Sequence, residues 1–289
     1  MRSEQLQPQR PGPESSRSHN DEAQRPTVVF LFAHQDDEAL IFPRIEQAIF
    51  EGNRVLCIYL TNGNFAANRN ARRDAESRRV LSRIGVDPND IYFVGSMRGF
   101  LDGALLDHLD DALAAMSAIL SPLSDIRNLY MHAWEGGHQD HDAVHLIGVT
   151  YAAKAGLIDV CRQFAAYRAA PNPLGLTIFA PLAENGAVSA EPIPLAARLR
   201  YLSLNFSYPS QWKTWIVLFP LIVFSYWTKP IQEVQGVSIL RLLARPHAGP
   251  LLYERRNRMT YEQFQTATNF FLQRHLPQLF SESISQAES

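Results

Sequence analysis

The chain has 289 residues, 46% of them hydrophobic, which is enough material for one large core. Its 27 Lys and Arg residues nearly balance its 29 Asp and Glu residues, and a net charge of −2 argues against a nucleic-acid partner. The two cysteines, Cys57 and Cys161, have no CxxC neighbour, which argues against a disulfide framework and a Cys-rich zinc site. Two reduced, buried thiols are typical of a cytoplasmic protein.

The two ends of the chain differ in composition from the rest. Residues 1–25 are polar, rich in Pro and Ser, and without the apolar stretch of a signal peptide, so we expect a disordered tail there. Residues 281–289 are expected to be frayed. The longest apolar run, WIVLFPLIVFSYW at 215–227, is interrupted by proline and shorter than the roughly 20 residues of a membrane span. We expect it to be buried or to cover a pocket as a lid. Its aromatic residues and two bracketing lysines also allow a peripheral membrane contact.

Predicted strands and helices alternate between residues 28 and 156. The apolar, β-branched runs predict strands at 28–33, 54–63, 91–95 and 128–133. The segments with helical periodicity are 43–51, 67–86, 105–121 and 139–156. Continuous apolar strands joined by helices predict a Rossmann-like, three-layer α/β fold with a mostly parallel central sheet.

Two further expectations concern local detail. The inner face of the charged helix at 67–86 is expected to contain Ala75, Val80, Leu81 and Ile84. The C-terminal third is less regular, with a strand at 176–182 and a strand end followed by a helix within 253–276.

Polar side chains follow two of the predicted strands. The stretch AHQDDE, residues 33–38, follows the first strand, and GGHQDHDAVH, residues 136–145, follows the strand near 130. Acids after a strand can begin a helix, where the helix dipole favours them. They can also hold a cation, because neighbouring carboxylates repel one another unless positive charge lies among them. Ligands of parallel sheets bind at the carboxyl ends of the strands, so the convergence of both stretches there favours the cation.

Histidine and carboxylate side chains are common metal ligands. Three residues supply the two-His, one-carboxylate set of a catalytic zinc site: His34, Asp37 and His141. Asp36 is then left over beside the metal and its water, where a general base is needed. His138 precedes His141 by one turn and could donate a proton, or a hydrogen bond to an oxyanion. Asp140 could orient a neighbouring histidine.

Other histidines fit structural roles better. We predict that His132, inside a strand, is a core residue, that His145 is a packed or supporting histidine, and that His108 is on the surface. The first strand is not followed by GxGxxG, and neither a GK[ST] phosphate loop nor a GxSxG elbow occurs. These absences argue against a nucleotide-dependent enzyme and against a serine hydrolase.

Four stretches, taken together and in order, resemble the PIG-L/LmbE-like family of zinc-dependent N-acetylglucosaminyl deacetylases. They are AHQDDE, LTNG, RDAESRRVLSRIGV and GGHQDHDAVH. That family carries A-H-P-D-D-E after its first strand, R-x-x-E ahead of an L-G-V ending, and H-x-D-H late in the domain. The resemblance covers residues 27–156, and beyond 160 it is limited to YPSQ at 208–211. Gln35 and Gln139 stand where the family has proline, which leaves every ligand in place.

The resemblance implies a role for each matching residue. Zinc, or another divalent metal, is bound by the three ligands named above, and Asp36 is the general base for the attacking water. His138 stabilises the oxyanion or protonates the leaving amine, with Asp140 tuning that histidine.

The resemblance also implies that Arg73, the first position of the R-x-x-E, and Asp102 contact the sugar. Arg73 has an alternative interpretation, a helix-surface ion pair with Glu76 or Asp74.

The implied function is removal of the acetyl group from an N-acetylglucosamine-type amino sugar conjugate, a small-molecule partner. One deacetylase domain would span residues 26–280, with 27–156 as the motif-bearing core and 157–280 shaping the pocket. Two alternatives remain at this point. One is an amidase for another N-acyl group, such as a thiol conjugate or glycopeptide. The other is a catalytically idle protein that binds metal or sugar, which would need neither Asp36 nor His138.

Overall fold

A computed structural model describes residues 25–64 and 71–280, so both predicted tails lie outside it, apart from Arg25. The described residues form nine strands: β1 Thr27–Phe32, β2 Arg54–Tyr59, β3 Ile91–Phe93, β4 Ile126–His132, β5 Cys161–Phe164, β6 Tyr167–Ala169, β7 Leu176–Ile178, β8 Val188–Pro192 and β9 Ile231–Gly236. Seven of them form one sheet in the order β3-β2-β1-β4-β5-β9-β8, and β6 pairs with β7 separately.

The predicted mostly parallel sheet is confirmed. Strands β1 to β5 are parallel, and Phe30 at the centre of β1 pairs with Cys57 on one side and Tyr130 on the other. Strands β9 and β8 then extend the sheet in antiparallel orientation. The C-terminal third therefore completes the same sheet that the N-terminal part begins.

The helices cover both faces of this sheet. In the described residues they are α1 Phe42–Phe50, α2 Ala71–Ile84, α3 Val94–Arg98, α4 Leu109–Leu120, α5 Gln139–Ala155, α6 Leu195–Leu204, α7 Trp212–Thr228, α8 Leu252–Arg255 and α9 Tyr261–His275. Val29 and Leu31 of β1 pack in one core with α4, α5 and α9. Phe30 and Phe32 point to the opposite face and pack with α1, α2, α6 and α7, because side chains alternate along a strand.

Several local predictions need correction. The strand expected at 91–95 ends at Phe93, where α3 begins and Gly95 lies so close to Thr61 that a Cβ would meet backbone at 2.1 Å. The strand expected at 176–182 ends at Ile178, because Phe179 adopts a left-handed φ of 52°. The strand end expected at 253 is wrong, since α8 occupies that position.

Two helices differ from expectation in what they bury. Ala75 of α2 is exposed, and polar Arg73, Glu76 and Ser77 share the buried face with its apolar residues. The predicted start of this helix, 67–70, lies outside the described residues. The apolar helix α7 buries only Ile222 and Tyr226, so of its two predicted alternatives, burial and a position over a pocket, burial is wrong. Among the residues described, no helix has the length and apolarity needed to cross a bilayer.

Candidate metal centre and active site

The chain leaves β1 in a tight turn that Asp37 holds in place. Oδ2 of Asp37 accepts hydrogen bonds from the backbone N–H of His34 at 2.7 Å and of Ala33 at 3.1 Å. Asp36, inside this turn, has a φ of 128°, a conformation that strains any residue other than glycine. In this conformation the Asp36 side chain lies on the wall of a cavity.

The three predicted ligands meet at this turn. Donor atoms of His34, Asp37 and His141 all lie within 4.8 Å of one another, and all three residues are buried. Oδ1 of Asp37 is 3.3 Å from Nε2 of His141, and Oδ2 is 3.6 Å from Nδ1 of His34. Burial opposes ionisation of Asp37, but nearby His141 and His132 hold its pKa well below the usual range. Asp37 is therefore an ionised carboxylate between imidazoles.

These residues fit a divalent metal. Both ring nitrogens of His141 are buried and have no hydrogen-bond partner among the described residues, as expected of a side chain meant to coordinate. Four carboxylates converge on the same space: Asp36, Asp37, Asp102 and Asp140. Such a concentration of negative charge is stabilised by a cation, and two imidazoles with one carboxylate are ligands that zinc accepts.

Asp140 contacts His34 more closely than the histidine it was predicted to tune. Its Oδ2 lies 3.0 Å from Nε2 of His34 but 3.9 Å from Nδ1 of His138. Asp140 also accepts hydrogen bonds from the backbone N–H of Gly103 and Leu105, at 2.6 and 3.1 Å. Burial would lower the pKa of His34, but the charge of Asp102 and hydrogen bonds to Asp102, Asp140 and Asp37 raise it well above its usual value.

His138 stands at the start of α5 with one nitrogen occupied. Its Nδ1 accepts a hydrogen bond from the backbone N–H of Asp140 at 3.2 Å, so Nε2 carries the proton of the neutral ring. That Nε2 is 3.7 Å from Oδ1 of Asp102. Burial and the neighbouring charge of His34 lower the pKa of His138 to about 4. His138 therefore presents a neutral N–H to the cavity that it lines.

Arg73 is buried and points towards the turn after β1. Its Nη2 donates to the carbonyl of Gln35 at 2.8 Å and lies 3.3 Å from Oδ1 of Asp36, while Nη1 donates to the carbonyl of Gly63. Burial raises the pKa of Asp36 to about 7, and the charge of Arg73 opposes that rise. The alternative of a surface ion pair is wrong, since Arg72 makes that pair with Glu76.

These groups border a cavity of about 310 Å³. The polar wall contains His34, Asp36, Asp37, Arg73, Asp102 and His138. The facing wall comes from the C-terminal third and includes Tyr167, Leu176, Trp215, Leu218 and Arg256. Helix α7 thus borders the cavity, as expected of a segment near the pocket, although most of its side chains are not buried.

Residues 29–152 match the sequence model of the GlcNAc-PI de-N-acetylase (PIG-L) family. We call residues 29–152 the PIG-L segment. It includes β1 to β4 and the three candidate ligands, and the family predicted from the motifs is confirmed. A search of curated protein sequences finds no match to the chain.

Several solved structures similar to this chain are described as deacetylases. The antimicrobial reagent A40926 pseudoaglycone deacetylase Dbv21 aligns with a TM-score of 0.56 and 16% identity, over 78% of this chain and 100% of that one. A deacetylase from the teicoplanin biosynthesis pathway aligns with a TM-score of 0.54 and 15% identity, over 74% and 99%. The zinc inhibited form of teicoplanin deacetylase Orf2 gives 0.53 and 14%, over 74% and 99%. At these identities the similarity shows the fold that surrounds the PIG-L segment.

The PIG-L segment contains one site residue that sequence reasoning assigned to the core. His132 is buried, but its Nε2 lies 3.1 Å from Oδ2 of Asp37, and its ring stacks on that of His141 with centroids 3.8 Å apart. Its position as the last residue of β4 could have indicated a site residue, because the other site residues also lie at the ends of strands. His145 is also buried and contacts the carbonyl of His132 through Nδ1 at 2.8 Å, away from the cavity.

Two buried glutamates join the PIG-L segment to the YPSQ stretch. The hydroxyl of Tyr208 donates to Oε1 of Glu38 at 2.8 Å. The backbone N–H of Ser210 donates to Oε1 of Glu76 at 3.2 Å, and its hydroxyl donates to Oε2 of the same residue. The glutamate of the R-x-x-E therefore positions the residues that lead into α7.

Gln35 compensates for the proline that the PIG-L motif usually carries. Its buried side chain donates through Nε2 to the carbonyl of Thr61 at 3.1 Å and to Oδ1 of Asp74 at 2.7 Å. The turn is thereby fixed to the end of β2 and to α2 by hydrogen bonds, where the family uses a ring.

Proposed function

We propose that this chain is a metal-dependent N-deacetylase that hydrolyses the acetamide of an N-acetylglucosamine-type amino sugar conjugate. The products are acetate and a free amine. The observation that carries the proposal is the meeting of His34, Asp37 and His141 beside Asp36 on one cavity wall, within a PIG-L segment. Zinc is the metal we propose, with another divalent ion as the alternative.

The ligand set suits hydrolytic chemistry. When bound by His34, Asp37 and His141, a divalent metal supplies Lewis-acid polarisation and lowers the pKa of water. His132 supports the set by contacting Asp37 from the side away from the cavity lining. Asp140 supports it from the other side, by fixing the His34 ring.

Asp36 is the proposed general base. It is buried, it lines the cavity, and burial has already raised its pKa towards neutrality, which suits a group that must accept a proton and give it up again. Arg73 holds its carboxylate and the preceding carbonyl in place. Asp36 takes a proton from the attacking water and returns it to the nitrogen as the C–N bond breaks.

His138 is the proposed oxyanion donor. Its Nε2 carries a proton that no backbone group uses, and it faces the cavity a short distance from Asp102. A donor fixed before the reaction stabilises negative charge that develops on the acetamide oxygen. Asp102 holds both His34 and His138, so its role includes positioning as well as the proposed sugar contact.

The cavity supports a small-molecule partner. A volume of about 310 Å³ is at the lower end for ligand sites and suits one sugar ring with its acetamido group. Arg73 and Asp102 line it and are the proposed sugar contacts within a single domain over residues 26–280. The free, buried thiols of Cys57 and Cys161 support a cytoplasmic location for this domain.

The test is an amine-release assay on the purified full chain. N-acetylglucosaminides with different aglycones are incubated beside an N-acetylated thiol conjugate and an acetylated glycopeptide, and both free amine and acetate are measured. Activity should disappear on chelation and return with stoichiometric zinc. A zinc titration into excess belongs in the assay, because a structure of similar fold is a zinc inhibited form.

Each outcome has a consequence. Release from the sugars alone supports the proposal. Release from the thiol conjugate or glycopeptide alone replaces it with another amidase. Metal binding without release from any acetamide means an idle homologue.

A further inference from the structure

Helix α7 exposes one apolar face to the surroundings. Of its 17 residues, only Ile222 and Tyr226 are buried. Five large hydrophobic side chains are more than half exposed: Trp212 (56%), Ile216 (64%), Val217 (60%), Phe224 (66%) and Trp227 (63%). At 100° per residue these five fall within an arc of about 140°, so they form one continuous face.

Neighbouring residues extend this face. Phe206, 75% exposed, packs its ring 5.1 Å from that of Phe219. The guanidinium of Arg198 on α6 lies 5.6 Å from the ring centre of Trp227. The apolar face is defined here as Phe206, Trp212, Ile216, Val217, Phe224 and Trp227. Exposed hydrophobic residues concentrated in this way indicate a surface that binds another molecule or a membrane.

Cations predominate around the apolar face, although Arg200 pairs with Glu46 and Lys229 pairs with Glu233. Between residues 192 and 232 the sequence contains no Asp or Glu but four cations, Arg198, Arg200, Lys213 and Lys229, in a chain whose net charge is −2. Lys213 lies beside Trp212 at one end of α7, and Arg198 lies beside Trp227 at the other. Arg83 of α2 adds a further cation, donating to the hydroxyl of Ser207 at 3.1 Å.

We propose that the apolar face docks α7 flat onto the surface of a lipid bilayer that contains anionic lipids. Tryptophans at both ends, aliphatic residues between them and flanking cations are the features of a helix that lies in the interfacial plane. A second copy of the chain fits this face less well. A symmetric dimer would bring two copies of this surface together, with cations facing cations and no acid from the 192–232 stretch to offset the repulsion.

Docking in this way would bring the cavity to the membrane. Val217 belongs both to the apolar face and to the cavity lining, and Thr214, Trp215 and Leu218 line the cavity from the adjoining side of α7. A bound protein would therefore present its cavity near the lipid headgroups. The inference concerns where the protein resides and does not depend on the proposed reaction.

The test is flotation of the full chain with lipid vesicles. Wild-type protein should float with mixed phosphatidylcholine–phosphatidylserine vesicles, less with phosphatidylcholine alone, and less again as salt screens the cations. Phe224→Glu should lower the partition coefficient about tenfold to a hundredfold, because it removes one aromatic side chain that would be buried in the bilayer surface. Phe270→Glu is the matched control, since Phe270 is 67% exposed on α9, outside the apolar face. Lys213→Glu should weaken binding to the anionic vesicles only.

Three outcomes would overturn the inference. The first is wild-type protein that does not float with anionic vesicles. The second is equal loss of binding in Phe224→Glu and Phe270→Glu, with circular dichroism showing both folded. The third is a wild-type dimer in sedimentation equilibrium that Phe224→Glu converts to monomer, which would assign the face to a second copy. If Phe224→Glu fails to fold, wild type and Lys213→Glu still decide between binding and no binding.

Discussion

Arg73 reaches from α2 to the turn after β1, where its Nη2 lies 3.3 Å from Oδ1 of Asp36. The same nitrogen donates to the carbonyl of Gln35 at 2.8 Å, so one guanidinium fixes both the backbone and the acid of the turn. Its charge acts against burial, the larger influence on the pKa of Asp36. Arg73 on α2 therefore both fixes the position of Asp36 and lowers its pKa.

Replacing Arg73 should therefore change the pH dependence of turnover. In Arg73→Gln the pKa of Asp36 rises, because burial is no longer opposed. A general base works when ionised, so activity is present above its pKa and is lost as pH falls. The acidic limb of the kcat/KM profile should move to higher pH in Arg73→Gln and move less in Arg73→Lys, which keeps the charge. An acidic limb that stays in place in both variants would assign it to another group.

The neighbours Asp36 and Asp37 should respond differently to substitution. Asp37→Ala removes a proposed ligand, so metal content and turnover should fall together. Asp36→Asn keeps the shape of the side chain and the ligand set but removes the base, so turnover should fall about a hundredfold to ten-thousandfold with metal still bound. Elemental analysis and turnover are measured on the same samples. Equal, mild losses of turnover in both variants would mean that these acids only begin a helix and do not bind a metal.

Gly63 should be necessary for the position of Arg73. A Cβ there would lie 2.3 Å from Oε1 of Gln35 and 2.7 Å from Cζ of Arg73, at a φ of +64°. Gly52 has a φ of +80° and nothing within 4 Å of a built Cβ. Each substitution to alanine should cost about 1–2 kcal/mol of stability from the backbone alone. Gly63→Ala should also lose turnover, and Gly52→Ala should not. Thermal melts and turnover for the pair separate backbone strain from displacement of Arg73.

His132 should affect metal affinity more than turnover at saturating metal. His132→Phe keeps the ring stacked on His141 but removes the nitrogen that contacts Asp37 at 3.1 Å. Loss of such a supporting contact typically weakens metal binding about 10- to 100-fold. His145→Phe is the control, because His145 is equally buried but lines neither the ligand set nor the cavity. Titration with a metal buffer gives both affinities, and equal values would reduce His132 to a packing residue.

Glu135 should make stability depend on pH. It is buried after β4, where its Oε1 accepts hydrogen bonds from the backbone N–H of Ala166 and Tyr167. Burial raises its pKa from 4.5 to about 7. As pH rises through that window, the unfolded chain ionises this group while the folded chain keeps the proton, so folding becomes less favourable. Glu135→Gln cannot ionise and should gain up to about 3 kcal/mol above pH 7.

The gain of Glu135→Gln should vanish below pH 4.5, where both states of the wild type are protonated. Denaturant unfolding at several pH values measures it. The exposed residue Glu184 provides a control, since Glu184→Gln should leave the pH dependence unchanged. A constant difference between Glu135→Gln and wild type at every pH would rule out ionisation as the cause.

The sequence was most informative where the pattern of hydrophobic residues and the chemistry of the polar residues indicate the same structure. The continuous apolar strand before AHQDDE predicted both a buried β1 and a polar site at its end. It was least informative where burial depends on distant partners. His132 resembles a core residue because its neighbours in β4 are apolar, and only the fold shows that Asp37 lies beside it. Arg73 and Glu76 are buried although their helix looks charged, because the site and Ser210 supply their partners.

Helix α7 illustrates the same limit from the opposite direction. Its composition predicted burial. Hydrophobicity, however, indicates only that a segment avoids water, and not whether the protein core, a partner or a membrane covers it. In the described part of the chain, Ile222 and Tyr226 are buried, Trp215 and Leu218 pack partly against the core, and five large apolar side chains are more than half exposed.

The contacts that Glu38 and Glu76 make with the YPSQ stretch also set an order of assembly. They join residues 170 and 134 positions apart, whereas the candidate metal ligands are all present once residue 141 has been made. During synthesis the N-terminal part of a chain emerges first. The ligand set is therefore complete in the nascent chain well before Tyr208 and Ser210 exist to receive the two buried carboxylates. A nascent chain that ends near residue 160 would contain every candidate metal ligand and none of the residues that form the facing wall of the cavity.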